Sequence, residues 1–569
     1  MFRDTFTPIV IILVLLFGIS CQQEVVLDRP PVEQILLHRI KEFPALPSPL
    51  DVADWDQIAL RFDSLIFQSD AGLMWWDSSG RNFDQVTFGM YTSLHDARQG
   101  VGVNVEAHEA LGTLGALISA SLMGIDKSNQ DGHNYVRMIR NYFNKEKGWD
   151  IIMNFTSKAG HIGGGYGNDW WYDLFNNVLF FALADLYPEE STLEPLLRTV
   201  AEQVYQADSI LNGNYSYSYF DFGSMQPATN HIVSQEDVAA AHAYLLLCAY
   251  QRFGEERYLD RAIIALESLA AYKESRFYEI LMPFAALTAA RINAQHGKDL
   301  PVQRFLDWTF DGDATNRIGW GVIADRWGGY DVYGMVGSTV HNGGYGFLMN
   351  TFDLAWPLTA MLRYDQRYAE SVGRWLLHAA NAAGLYYPDR IPDSLQALPH
   401  LKHLCQGAIA YEGLIKESTF EEHSGITPFA QGDGPNWAPG MPDQTMFSVY
   451  GSAHVGFFGG LIQKTEVPGI LITDCSKTDF YSDKEHLPAY LVYNPYEAKQ
   501  SITCPPSWKD HRLYDSVSGQ WMRRTGKGNM SSISLPPGQA MVIIPVPKGD
   551  KISRRDGRLY AGELVLDYR

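Results

Sequence analysis

Six stretches of this chain are apolar around nearly the whole circumference of a helix, and stretches with a single apolar face run between them. The first kind is found at residues 108–123 (HEALGTLGALISASLM), 169–187 (DWWYDLFNNVLFFALADLY), 237–250, 277–291, 346–363 and 403–415. The second kind lies at 51–68, 132–146, 190–209, 255–272, 299–308 and 364–384. A helix with no polar face must be surrounded by other elements, whereas one with an apolar stripe lies at a surface. Alternation of the two kinds over residues 51–425 predicts helical hairpins that close on themselves. The buried helices form an inner ring and the amphipathic ones an outer ring, a mainly α fold of (α/α)6 toroid type. An open helical solenoid is the rival arrangement. Against it, no fixed repeat recurs, and long glycine-rich loops lead into the apolar helices.

The texture changes near residue 425. "GDGPNWAPGMPDQ" (432–444) reads as a loop, and short β-rich runs follow, among them MFSVYG, GILITD, AYLVYN, SITC and AMVIIPV. Residues 426–569 therefore read as a small C-terminal antiparallel β-sandwich with a tail. At the other end, Arg3 precedes an apolar run from Ile9 to Ile19, followed by Ser20 and Cys21. The run is short for a membrane span and reads as an export signal. It resembles a bacterial lipoprotein signal. That resemblance implies that residues 1–21 end at a lipidated Cys21, that 22–50 form a linker, and that the mature chain is tethered in the cell envelope.

The alternating helices resemble the six-hairpin glycosidase-like superfamily, and the run YLVYNPYEAKQSIT to AMVIIPV looks like the accessory β domain appended to many glycoside hydrolases. The resemblance implies a poly- or oligosaccharide substrate, by analogy of fold. Composition agrees in outline: aromatic residues make up 13% of the chain, and flat rings suit the C–H faces of sugars. A net charge of −20 with no basic run argues against a nucleic-acid partner. No HExxH or similar spacing suggests a metal, and no cofactor motif is legible. Cys248, Cys405, Cys475 and Cys504 are far apart, with Cys475 and Cys504 the one conceivable pair.

The chemistry is expected in the loops that lead into the inner helices. "GHIGGGYGNDWWYD" precedes the second and "STVHNGGYGF" the fifth, so in a ring of six they face each other across a cleft. Glycines there let the backbone approach a ligand or make tight turns. Asp173 and Asp169, one helical turn apart, and Glu236 with Asp237 are the candidate carboxyls for hydrolysis, which needs a proton donor and a second carboxylate. Asp169 is equally a candidate helix cap. His341 and Tyr345 are candidates for the base in β-elimination. "NDWWYD" is similar to the Asn-Trp-Trp of toroidal hyaluronate and chondroitin lyases, although Asp169 interrupts it. His161, Tyr166, Asn168, Trp170, Trp171, His231, Trp320, Arg326 and Trp327 are candidates for holding the sugar. Glu412, a carboxylate on an expected apolar helix, is held in reserve, and His454 reads as structural. A hydrolase comes first, a polysaccharide lyase second, and a non-catalytic glycan-binding lipoprotein third.

Overall fold

A computed structural model describes residues 29–68, 72–94, 108–145, 148–156, 169–418, 420–432, 434, 442–482, 485–526 and 531–569. Cys21 and the segment 1–21, His161, Tyr166 and Asn168 lie outside the described residues. The chain is a helical body followed by a β-rich region. Its helices are α1 (Trp55–Ile66), α2 (Ala110–Leu122), α3 (Tyr135–Met138), α4 (Trp170–Leu186) and α5 (Glu194–Leu211). Then come α6 (Val238–Phe253), α7 (Glu256–Ala270), α8 (Met282–His296) and α9 (Val302–Phe310). The series ends with α10 (Leu348–Asp353), α11 (Ala355–Met361), α12 (Ala369–Ala382), α13 (Val449–Ser452) and α14 (Gly456–Gly459).

Helices α2, α4, α6, α8 and α10–α11 are the first five apolar segments, each buried along most of its length. The fifth is broken after Asp353, four residues before Pro357. Proline has no N–H to bond that carbonyl. In space α2 packs on α4, α4 on α6, α6 on α8, and α8 on α11.

The sixth position corrects the sequence reading. Residues 403–415 are not a helix: Pro399–Cys405 is a 3-10 turn, and Ala410–Tyr411 and Gly413–Ile415 are strands. The chain returns with α13 and α14, which touch α10 and α11 on one side and α2 on the other, completing the cycle of contacts. Glycine makes this possible. A Cβ on Gly456 would stand 2.3 Å from Ser119 Cα, and one on Gly460 2.6 Å from Leu122 Cβ. The close approach needs glycine, but glycine weakens the helical signal, so VYGSAHVGFFGG did not read as a helix.

The amphipathic helices lie outside this cycle. α1 packs on α14 and α2, α5 and α7 on α6, α9 on α8, and α12 on α11. The expected helix at 132–146 is reduced to α3 and the 3-10 turn Ile139–Tyr142.

The β-rich region starts at Ile462, since MFSVYG belongs largely to the helical cycle. Six antiparallel strands run in the order 462–464, 471–474, 490–493, 540–547, 511–515 and 520–521. One side packs on α12. On the other, the strand pair Gln500–Thr503 and Ser532–Leu535 encloses a second core with Ile472, Val492, Trp508 and Ile543. Cys475 belongs to the main core and Cys504 to the second. All four described cysteines are free, so the conceivable disulfide is not formed.

Two segments bind the regions together. Residues 29–50, read as a linker, are packed. The Val32 and Ile35 amides donate to the Val517 and Arg367 carbonyls, both at 2.7 Å, and Ile40 and Phe43 are buried. Residues 478–482 close the C-terminal end of the helical cycle. There the buried Asp479 pairs with Arg363 and accepts from the Tyr364 hydroxyl at 2.7 Å. Next to it, Tyr481 donates its hydroxyl to Phe181 O at 3.1 Å.

Candidate active site

The opposite end of the cycle collects the helix N-termini and the loops that lead into them. Asp169 stands just before α4 with an extended backbone, yet its side chain does not cap the helix. Its Oδ2 instead accepts from the Tyr278 hydroxyl at 3.1 Å. Burial pushes the Asp169 carboxyl above the usual carboxylate range, opposed by the Tyr278 hydrogen bond and by the charges of Arg317 and His231.

Tyr278 is itself fixed from below. Its amide donates to Asp237 Oδ2 at 3.0 Å, and burial pushes the Asp237 carboxyl up to about 8. The neighbouring Glu236 accepts from Ser234 Oγ at 2.7 Å and Asn316 Nδ2 at 3.5 Å. Glu236 and Asp237 are thus buried supports of the loop that carries Tyr278. Asp173 is buried too, 2% exposed, and burial followed by the charge of Asp169 drives its carboxyl well up. Burial places it in the packing of α4, away from a surface a sugar could reach.

Several participants were not picked out from the sequence. Glu279 pairs with Arg317, whose guanidinium lies 3.7 Å over the Trp320 ring. Asn350 Nδ2 donates to Glu279 Oε2 at 3.1 Å, and Trp320 Nε1 to Glu279 O at 2.9 Å. The apolar pattern extends the helix back over residues 277–281, but α8 begins only at Met282, with Pro283 in its first turn. That proline was the available signal. Glu412, the reserve candidate, sits between two short strands, and its Oε1 accepts from the Tyr450 hydroxyl at 2.6 Å. Tyr172 stands among the acids. Burial raises its pKa, and so do the charges of Glu109, Asp169 and Glu412. All three carboxylates therefore lie within electrostatic reach of one phenol.

A five-stranded antiparallel sheet walls the site, in the order 429–431, 413–415, 345–347, 336–338 and 320–322. It carries the half-buried Tyr345 opposite Ile415 and Ser338. A Cβ on Gly413 would come within 2.5 Å of the Tyr345 ring, so glycine is required there. His341 is exposed, its ring 6.1 Å from that of Tyr345. Gly344 lets the chain pass against Trp327, whose Cζ2 would lie 2.5 Å from an added Cβ.

Most of the expected stacking rings are corrected to wall residues. Trp170 is fully buried against Tyr215 and Phe220. Trp171 is buried and tilted over Tyr172 at 4.0 Å, and the buried Trp327 donates to Asp325 Oδ2 at 2.8 Å. Trp320 is buried under Arg317. Arg326 is engaged with Asp331 at 3.1 Å and Gly329 O at 2.8 Å. His231 is exposed on the loop before α6, close enough for its charge to act on Asp169. No group of three or more His, Cys, Asp or Glu among the described residues could hold a metal ion. No helix among them is long and apolar enough to cross a membrane.

No family profile matches this chain, and no curated protein does. Solved structures do. A glycoside hydrolase matches at 10% identity over 80% of this chain and 77% of its own, with a TM-score of 0.36. A GH127 beta-L-arabinofuranosidase from Geobacillus stearothermophilus T6 matches at 12% identity over 90% and 80%, with a TM-score of 0.28. A GH127 beta-arabinofuranosidase matches at 11% identity over 95% and 84%, with a TM-score of 0.32. Likeness at this level transfers no residue roles.

Proposed function

We propose that this chain is a glycoside hydrolase built on an (α/α)6 toroid with a C-terminal β-sandwich, exported and tethered through Cys21, and acting on an oligo- or polysaccharide. One observation carries the reading. Two carboxyls, Asp169 and Glu412, are each held by a tyrosine hydroxyl, from Tyr278 and Tyr450, and the charges of both reach Tyr172.

Asp169 is the proton donor, because burial keeps its proton at higher pH than an ordinary carboxyl would. The glycosidic C–O bond breaks, the leaving oxygen takes that proton, and water supplies the hydroxyl of the new reducing end. Glu412 is the second carboxylate, taking the proton of the water or attacking the anomeric carbon. The separation of the two carboxyls along the bound sugar sets the stereochemical outcome. Arg317, with one face on Trp320, orients Glu279 and Tyr278 beneath the sugar.

The test is incubation with neutral and uronate-containing glycans. Release of reducing ends, lowered about 10²–10⁴-fold by Asp169→Asn and by Glu412→Gln, is the expected result. Ultraviolet absorbance from an unsaturated uronate, lost in Tyr345→Phe or His341→Ala, would replace this reading with β-elimination. Binding without turnover across the panel would make the chain a glycan-binding protein.

A further inference from the structure

A groove of about 550 Å³ opens between the β-rich region, residues 31–34 and the start of α12. That volume falls within the range of about 300–1,000 Å³ usual for ligand sites. Glu370, in the first turn of α12, lines it, and so does Gln34. Gln34 Nε2 donates to Gln366 O at 2.9 Å, in the connection from α11 to α12. That connection follows directly on Arg363 and Tyr364, which meet Asp479 at the closed end of the helical cycle. The groove therefore lies at the end opposite Asp169 and Glu412, and neither carboxyl lines it.

The buried part of its lining is apolar, with Val517, Ala540 and Met541. Gln520, Arg523, Ser534 and Gln539 line it as well. Their side chains make no hydrogen bond or ion pair with another described residue, so their polar groups are free for a ligand. Trp521 adds a half-buried ring. It lies on the edge strand 520–521, opposite Tyr514. The Tyr514 ring stands 5.3 Å from the indole, and the Arg512 guanidinium lies 4.6 Å over it. A ring held in this way gives up little freedom when a ligand binds. The wall formed by residues 31–34 is fixed too. The Val32 amide donates to Val517 O at 2.7 Å, and Gln34 Oε1 accepts from the Glu370 amide at 3.0 Å.

The free amides, hydroxyl and guanidinium supply both donors and acceptors beside one flat ring. A sugar has the matching surfaces: hydroxyls that donate and accept, and C–H faces that stack on an aromatic. A wholly aliphatic ligand would desolvate those polar groups without pairing them. The lining carries one cation, Arg523, against the carboxyls of Glu370 and Asp515, so it has no excess of positive charge to attract a polyanion. We propose that this groove is a second glycan-binding site, separate from the carboxyl site, in which a neutral oligo- or polysaccharide lays a sugar ring on Trp521. The proposal rests on the reading of this chain as a carbohydrate-active protein. It adds a function, that of holding a polymer at the closed end of the cycle while the carboxyls act at the other.

The experiment is affinity electrophoresis through gels that contain arabinan, galactan, xylan or a β-glucan, with polygalacturonate as the charged control. Wild type, Asp169→Asn, Trp521→Ala and the double variant Gln520→Ala with Arg523→Ala are compared, each checked by thermal melting. At least one neutral glycan is expected to retard the wild type and Asp169→Asn alike. Affinity is expected to be about tenfold lower in Trp521→Ala and about threefold lower in the double variant. The double variant carries the test if Trp521→Ala does not fold. Trp521→Ala is also expected to raise KM on the retarding polymer while leaving kcat and KM on a short oligosaccharide unchanged. Equal retardation of the wild type and the folded variants overturns the proposal, as does retardation by polygalacturonate alone or by no glycan. A Trp521→Ala change that turns a dimer into a monomer in sedimentation, with retardation unchanged, overturns it in favour of a contact between two copies. Turnover is read separately. Retardation lost in the variants, with no hydrolysis of any glycan, would keep the groove and remove the hydrolase reading. Hydrolysis with variants retarded like the wild type would do the reverse.

Discussion

At the scale of single residues, the tyrosine that touches Asp169 gives the sharpest handle. The Tyr278 hydrogen bond pulls the Asp169 pKa down while burial pushes it up. A proton donor works only while protonated, so activity is expected to fall as pH rises through the Asp169 pKa. Tyr278→Phe removes the lowering influence, so the alkaline limb of the kcat profile is expected to move to higher pH. An unmoved limb would exclude Asp169 as the donor. Asp237 offers a stability test. Its carboxyl is pushed from 3.8 up to about 8 by burial, so the folded chain holds this proton more tightly than the unfolded one. That contribution is complete below the lower value and is lost as pH rises through the upper one. Asp237→Asn keeps a neutral side chain throughout. Its melting temperature is therefore expected to fall less than that of the wild type between about pH 5 and pH 9.

At the scale of elements, the apolar helices were legible because burial on all sides leaves an unambiguous pattern. Helices α2, α4 and α6 lie where that pattern placed them. The sixth was missed because its information is steric. Gly456 is there to avoid the backbone of Ser119, and no periodicity reports an avoided collision. Gly456→Ala is expected to destabilise the chain by about 1–3 kcal/mol, measured by denaturant unfolding, with the loss confined to the α2–α14 contact. The site was partly legible for a related reason. Asp169 stood out beside a glycine loop, and Glu412 as a carboxylate in an apolar run. Tyr278 and Glu279 were absorbed into a helix that begins later, and Tyr450 into a strand that is a helix. The tryptophans misled because bulk and flatness are the same whether a ring faces a ligand or the core.

At the scale of the whole molecule, the β-rich region serves as part of the helical body's packing. Asp479, from the segment that leads into its third strand, is buried between Arg363 and Arg291 at the closed end of the cycle. Asp479→Ala would leave two buried guanidinium groups without their carboxylate. It is expected to cost about 3–5 kcal/mol in thermal or denaturant unfolding, with helical and β signals lost in one transition. Two separate transitions would show that the regions are independent. The first and last members of the helical cycle, α2 and α14, begin 346 residues apart, at Ala110 and Gly456. Their contact can form only after most of the chain has been synthesised. A topology with so large a sequence separation folds slowly. During that interval the cycle of apolar helices lacks its closing member, so for this chain the hazard of aggregation is concentrated in the time before Gly456 and Gly460 arrive.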